Sequence, residues 1–477
     1  MKFISFLTLG ILCASVSLPM SAQGRSEKRG LCFNNLSNAD IELLKGSTSW
    51  VYNWGNRLAG DATQLYASEI EYLPMIWSAP KDGSSMSEAA VLEILDRNPN
   101  CKYMLGFNEP NLSDQADMTP QEAANSWGNI VSACRKRGVK IVSPAMNWGT
   151  KPGYNDAIKW FDEFFGIVGL ESVDYIAYHA YMPSASAVMN DISRLKKYGK
   201  PIWLTEFCAA SGSITNDVAT QKRFLVSMLV ALEKDPDVFR YAWFKERGTG
   251  NWSAISILNR IGNTASYTDL GKLYAAIPTF NPDFYHQVNE EFPATQFIEW
   301  SNGVSMDVAT GTSQEVVLID LGDSRNQSIT YQVETPQAGN YDIAFTVAGG
   351  STCAFDKITL GDGTELCGKT SMGTGGIGIW KTISVPVRLP SGKNQIMVYP
   401  TYGRSFKLAA IKVNCNTAID DVVGDKACPY FEIVGNSIVS DGDVRVYNMQ
   451  GVEVGCDNLS EGIYIVTTPS GSVKIRI

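Results

Sequence analysis

Histidine is the scarcest chemistry-bearing residue in this chain, with 2 in 477 positions. Two imidazoles leave little for a histidine-built metal site or a Ser-His-Asp triad, so an enzyme made from this sequence would rest on carboxylates. No CxxC pair and no Cys/His spacing suggests zinc. Positive charge is not in excess either. The 40 basic residues face 49 acidic ones, for a formal net charge of −9, and nucleic acid as a partner is excluded because counterion release needs a cationic face. Past the N-terminus no stretch approaches the roughly 18 consecutive apolar residues of a membrane-spanning helix. At 44% hydrophobic and 19% charged, the chain is too apolar for disorder, and no strict glycine period suggests collagen. What it does hold is aromatic surface, with 11 Trp and 20 Tyr. Flat rings suit the apolar faces of sugars.

The first 22 residues read as an export signal. Lys2 supplies the charge, Phe3 to Val16 the apolar core, and Pro19-Met20-Ser21-Ala22 a break with small residues near a cleavage site. That core is too short to span about 30 Å of hydrocarbon, and the bulky Leu12 before Cys13 fits a lipoprotein site poorly. A secreted or cell-surface protein is expected, and a monomer. Export permits disulfides without requiring them. Cys353/Cys367 and Cys415/Cys428 are the best pair candidates by proximity in sequence. Cys32, Cys101, Cys134 and Cys208 fall within apolar segments and read as buried thiols.

From 28 to 280, eight short apolar runs alternate with amphipathic stretches. The runs are Arg29–Asn34, Trp50–Gly55, Glu71–Trp77, Tyr103–Glu109, Lys140–Trp148, Asp174–Tyr181, Pro201–Phe207 and Arg240–Phe244. Between them lie segments such as Thr119–Lys136 and Asp217–Leu232 with apolar residues at helical spacing. Thr119 makes an N-cap, with Pro120 at the first helical position and Glu122 completing a capping box. Eight βα units in about 250 residues have the rhythm of an α/β fold of the (β/α)₈ TIM-barrel type. An open doubly wound sheet usually has fewer strands and a Gly-rich first turn, absent here. From 285 to 415 the pattern switches to period-two alternation with Gly-containing turns, as in Tyr341-Asp342-Ile343-Ala344-Phe345; this predicts an all-β, jelly-roll-like sandwich. Residues 416–429 read as a linker, and 430–477 as a small β C-terminal domain.

Active sites on a (β/α)₈ barrel lie at the C-terminal ends of the strands. The fourth run ends in Gly106-Phe107-Asn108-Glu109-Pro110 and the seventh in Trp203-Leu204-Thr205-Glu206-Phe207. One glutamate at a strand end is ordinary. Two on strands that face each other across the barrel mouth can converge, and glycoside hydrolysis needs such a pair. His179 and Tyr181 share a strand face by period two, beside Glu206. His179 reads equally as a sugar contact or a hydrogen-bonded core residue. Trp54, Trp77, Trp148 and Trp243 fall at strand ends and read as sugar-stacking walls. Glu163 and Glu246 lack the right strand and read as surface charges. No metal is expected in the barrel. Short connections among the first three strands predict a barrel open on that side.

The combination of Tyr52-Asn53-Trp54, Leu73-Pro74-Met75-Ile76-Trp77, Leu105-Gly106-Phe107-Asn108-Glu109-Pro110, Ser143-Pro144-Ala145, His179-Ala180-Tyr181, Pro201-Ile202-Trp203-Leu204-Thr205-Glu206-Phe207 and Tyr241-Ala242-Trp243-Phe244 resembles glycoside hydrolase family 128, endo-acting β-1,3-glucanases of the retaining clan A. The resemblance implies Glu109 as acid/base, Glu206 as nucleophile and Asn108 as partner of the sugar 2-hydroxyl, with β-glucan as substrate and no cofactor. Glu109 would have to carry a proton when substrate arrives while Glu206 stays ionised. Asn111 stands where family members often carry Asp. Rival readings are a clan A endo-glycanase for β-1,4 or β-1,6 linkages, a transglycosylase using the same residues, and a non-catalytic glycan-binding surface protein.

The sandwich resembles a family 6 carbohydrate-binding module through Phe297-Ile298-Glu299, the Ile329–Val333 strand followed by Pro336 and Gly339-Asn340-Tyr341, and Val387-Arg388-Leu389-Pro390-Ser391-Gly392. By that resemblance Trp380 takes one of two aromatic clamp positions, while the second falls on Leu318 and the asparagine position on Lys407. Glu299 would support a structural calcium. The C-terminal unit, Val444–Gly451 through Ile463–Val466 to Val473–Ile475, is similar to the sorting domain of type IX secretion, whose machinery would then be a partner.

Overall fold

A computed structural model of the chain describes residues 24–259, 264–303, 305–415, 431–440, 442–468 and 471–477. The signal segment at 1–22, the linker at 416–429 and Cys428 lie outside the described residues. Each of the eight apolar runs overlaps a strand: β1 Arg29–Cys32, β2 Trp50–Tyr52, β3 Glu71–Tyr72, β4 Tyr103–Leu105, β5 Lys140–Met146, β6 Tyr175–Met182, β7 Ile202–Ala209 and β8 Val238–Trp243. Helices α1 Asn38–Leu44, α2 Glu88–Arg97, α3 Pro120–Lys136, α4 Ala157–Val168, α5 Ala185–Leu195, α6 Val218–Lys234 and α7 Asp269–Ala276 connect them, and a 3₁₀ helix over Gly60–Ala67 replaces a helix after β2. Thr119 caps α3 with the expected reciprocal box to Glu122.

The strands form one parallel sheet in the order β3-β2-β1-β8-β7-β6-β5-β4. It curls until its two ends meet. A bridge joins Met75 to Leu105, and Ile76 N donates to Leu105 O while Leu105 N donates to Pro74 O, each at 3.0 Å. A TIM-type barrel results. Its interior holds Cys32, Trp50, Tyr52, Leu73, Met75, Leu105, Val142, Ala145, Ala177, Trp203 and Ala242, and a second, larger core lies between strands and helices. A Cβ on Gly30 would stand 2.3 Å from the Trp50 ring, so the indole can fill the barrel only because position 30 is glycine. The N-terminal end is plugged by Arg240, which pairs with Glu71 at 2.7 Å and lies 4.8 Å from the Tyr103 ring centre and 5.1 Å from that of Trp203. Chemistry is left to the other end.

Strand β7 carries an irregularity that the site depends on. Tyr178 pairs with Leu204, yet the next residue, His179, pairs with Glu206. One extra residue, Thr205, is absorbed as a bulge, which reverses the in/out parity of the residues beyond it. Trp203 and Glu206 therefore both face the barrel interior, and the Thr205 carbonyl accepts from Tyr52 Oη at 3.2 Å and from Cys32 Sγ at 3.3 Å. A strict period of two would have sent Glu206 outward.

After α7 the chain forms two antiparallel-rich sheets. One runs through 305–308, 316–321, 406–415, 339–349 and 376–389, the other through 299–301, 328–335, 392–400, 354–360 and 365–367. Ion pairs Lys222–Asp307 at 2.7 Å and Lys234–Glu299 tie this region to α6. Glu299, expected to support a calcium ion, pairs here with the Lys234 ammonium. Cys353 and Cys367 are both free, contrary to their expected pairing. Cys367 lies opposite Ile358, five residues along from Cys353, and at about 3.3 Å per residue that offset exceeds disulfide reach. Residues 431–477 add two small sheets around Phe431, Ile433, Ile438, Val446, Leu459, Tyr464, Val466 and Ile475.

Candidate active site

The C-terminal ends of the strands bring Glu109 and Glu206 together. Glu109 lies four residues beyond β4, at the point where the chain is pinned to β5 by its own amide donating to Ala145 O at 2.9 Å. Gly106 permits this approach, since a Cβ there would come within 2.7 Å of the Pro144 nitrogen. Glu109 itself takes a left-handed backbone, φ 49°, and so does Trp54 across the mouth, φ 60°. One oxygen of each carboxylate and a ring nitrogen of His179 lie within 4.8 Å of one another. Both carboxylates are buried, at 6% exposure for Glu109 and 4% for Glu206.

The donors are unevenly shared. Glu206 Oε1 accepts from Tyr52 Oη at 2.8 Å and from Trp54 Nε1 at 2.6 Å, and Oε2 accepts from Tyr181 Oη. Glu109 Oε1 accepts from Asn147 Nδ2. His179 Nδ1 bridges the pair, 2.8 Å from Glu109 Oε1 and 3.4 Å from Glu206 Oε2. Burial pushes the Glu206 carboxyl above its ordinary range and the Glu109 charge adds to this, while His179, Tyr181 and Trp54 pull it only part of the way back, so that it stays raised. Burial disfavours the His179 cation, but the two carboxylates outweigh it and raise the imidazole. Burial and the neighbouring Glu206 hold the Tyr181 and Tyr52 phenols far above their usual values, so both stay protonated donors. The trio could reach a single metal ion, and four N–H and O–H donors serve three of the four carboxylate oxygens, an arrangement suited to acid/base work.

Several expectations change here. Of the two readings of His179, a sugar contact or a hydrogen-bonded core residue, the second describes it: it is wholly buried against the carboxylates. Trp243 is also wholly buried. It faces the helices, with Nε1 donating to Ile255 O at 2.8 Å and its ring packed on Phe207 and Phe224. Its neighbour Phe244 faces the groove, one step along the strand's alternation. Trp54, Trp77 and Trp148 do line the groove, joined by Trp252. Asn108 lies on its floor, Nδ2 donating to Gln115 Oε1 at 3.3 Å while its buried Oδ1 has no partner. Glu163 is a surface charge as expected, but Glu246 is buried, accepting from the amides of Asn34 and Asn35 at 2.8 and 3.1 Å. Trp380 is half-buried on the sandwich edge, its Nε1 donating to Thr310 O at 3.1 Å, whereas Leu318 is wholly in the core.

Reading by residue type missed Tyr52, Asn147, Phe244 and Trp252. Asn111, the departure from the expected Asp, explains Asn147. Its Nδ2 donates to Asn147 O at 2.7 Å and its Oδ1 accepts from Asn147 N at 3.1 Å, a two-way grip that an acceptor-only carboxylate would not reproduce. The groove that Asn147, Phe244 and Trp252 help to line encloses about 470 Å³.

A buried carboxylate pair on opposite strand ends of a (β/α)₈ barrel, under an aromatic-walled groove, defines a glycoside hydrolase. Residues 30–274 match the family described as glycosyl hydrolase catalytic core, and the chain belongs to that family. It is 28% identical over 262 residues to alkali-sensitive linkage protein 1 of Schizosaccharomyces pombe, a match over 52% of this chain and 44% of that protein, so it spans less than half of that relative's length. Among solved structures, a family 128 subgroup II endo-β-1,3-glucanase from Pseudomonas viridiflava is 34% identical, over 53% of this chain and 99% of that one, with a TM-score of 0.46. One from Sorangium cellulosum is 33% identical, over 52% and 97%, also at 0.46.

Proposed function

We propose that the protein is a secreted, retaining endo-β-1,3-glucanase of family 128 type. The carrying observation is the carboxylate pair, with oxygens of Glu109 and Glu206 inside 4.8 Å. Retaining pairs stand about 5–5.5 Å apart and inverting pairs about 6.5–9.5 Å, because the latter must admit a water. The donor asymmetry supports the roles. Three donors on Glu206 favour its anion, the nucleophile that attacks the anomeric carbon. Glu109 then gives its proton to the leaving oxygen as the glycosidic bond breaks. In the second step Glu109 takes a proton from water, which displaces Glu206 and returns the sugar with its original configuration. The free Oδ1 of Asn108 suits a 2-hydroxyl donor. Linkage follows the motif resemblance, and the signal-like N-terminus supports meeting the polymer outside the cell.

Reducing-sugar release from laminarin, curdlan, carboxymethylcellulose and mannan tests the substrate class. Release from laminarin and curdlan is expected, and activity on cellulose without laminarin would overturn the reading. Proton NMR of the first products should show the β-anomer before mutarotation; an initial α-anomer would remove the retaining mechanism.

Tyr181→Phe probes the charge balance. Its hydroxyl favours the ionised Glu206, so losing it disfavours the anion and raises the carboxyl further. The acidic limb of kcat/KM should move to higher pH by about one unit. A limb that stays put, or moves to lower pH, would show that Tyr181 does not hold the nucleophile charged.

A further inference from the structure

Among the described residues that line the groove, one is a cation, Lys245, and it faces two aromatic rings. Lys245 follows β8 and lines the groove with Asn34, Trp54 and Phe244. Its ammonium lies 5.9 Å from the Trp54 ring centre and 5.7 Å from that of Phe244, and among the described residues it has no ion pair or hydrogen bond. Neighbouring cations are satisfied, Lys151 by Asp117 and Arg247 by Asp40, each at 2.7 Å.

The backbone that presents Lys245 is fixed on both sides. Phe244 N donates to Phe207 O at 3.1 Å and Glu246 N to Cys32 O at 3.0 Å. The buried Glu246 carboxylate holds the Asn34-Asn35 amides, binding the loops after β1 and β8 into one wall. This wall adjoins Glu206, which accepts from Trp54, and the third donor to Glu206, Tyr181, packs on both Phe244 and Trp148. Lys245 and Glu206 thus line one groove with Trp54 in contact with both.

A neutral glucan offers hydroxyls to an ammonium, but an anionic substituent offers a charge-assisted hydrogen bond roughly twice as strong. We propose that Lys245 is a specificity-determining residue that selects β-glucan bearing anionic substituents, such as free carboxylates or sulfate monoesters, near the cleaved bond. This rests on the glucanase reading above.

The test compares kcat/KM on laminarin, carboxymethylated laminarin and sulfated laminarin. For the native protein the ratio of at least one anionic polymer to laminarin should fall as ionic strength rises. Lys245→Met should lower that ratio roughly tenfold, and Lys245→Arg should keep it. Which polymer responds identifies the anion. A ratio unchanged in Lys245→Met, or refusal of both anionic polymers by a protein that cleaves laminarin, overturns the inference alone. A silent laminarin arm overturns the glucanase reading and this inference with it.

Discussion

Glu206→Gln is expected to lower kcat on laminarin by roughly 10⁴-fold or more, because an amide cannot form the covalent glycosyl bond. The substitution is nearly isosteric, and its orientation is dictated by its neighbours. Trp54 Nε1 can only donate and stands 2.6 Å from Oε1, so the amide oxygen must keep that position. The new NH₂ group then faces Tyr181, whose hydroxyl can turn and accept. The fold should survive, and thermal unfolding should match that of the native chain while turnover collapses. Turnover within tenfold of native in a normally folded variant would show that Glu206 is not the nucleophile.

Glu109→Ala should cost roughly 10²–10⁴-fold on laminarin, the usual contribution of a positioned general acid, but its signature is the dependence on the leaving group. A dinitrophenyl β-laminaribioside departs without a proton, so formation of the glycosyl-enzyme should stay fast and the loss should shift to the second step, where Glu109 would deprotonate water. Azide needs no base, so it should restore turnover and give a β-glycosyl azide. An equal loss on both substrates, or an α-azide, would remove Glu109 from the acid/base role. His179 sharpens the contrast. It lies 2.8 Å from Glu109 Oε1, and in the alanine variant its Nδ1 keeps only the longer contact to Glu206.

The barrel was legible because its strands are short, apolar and separated by well-capped helices. Thr119-Pro120 and Glu122 announce α3 whatever the tertiary context. Glu109 and Glu206 were legible as polar residues that close apolar runs. The in/out parity at strand ends was not, because it depends on bulges that leave no mark in composition. Thr205 re-aims Glu206 inward, while no comparable shift rescues Trp243, and Phe244 takes its place in the groove. Tyr52 and Asn147 were missed for another reason. Their value lies in reaching a carboxylate far off in sequence, about 150 residues away across the curled sheet for Tyr52 and about 40 away on the neighbouring strand for Asn147, and only the paired strands create those distances. Glu246 was misread as exposed since nothing in its surroundings in sequence shows that Asn34 and Asn35 return to cover it.

The left-handed backbones at Trp54 and Glu109 carry a consequence for how this chain can change. A side chain bearing a Cβ pays about 1 kcal/mol or more in that region, and glycine or asparagine far less. At both positions a mutation toward glycine would relax the backbone, yet one would remove a donor to Glu206 and the other the proposed acid. Selection for robustness alone would therefore erode both residues. Their persistence would be maintained by turnover, and lineages that ceased to cleave polymer would be expected to lose them before the buried packing around Trp50 and Trp203.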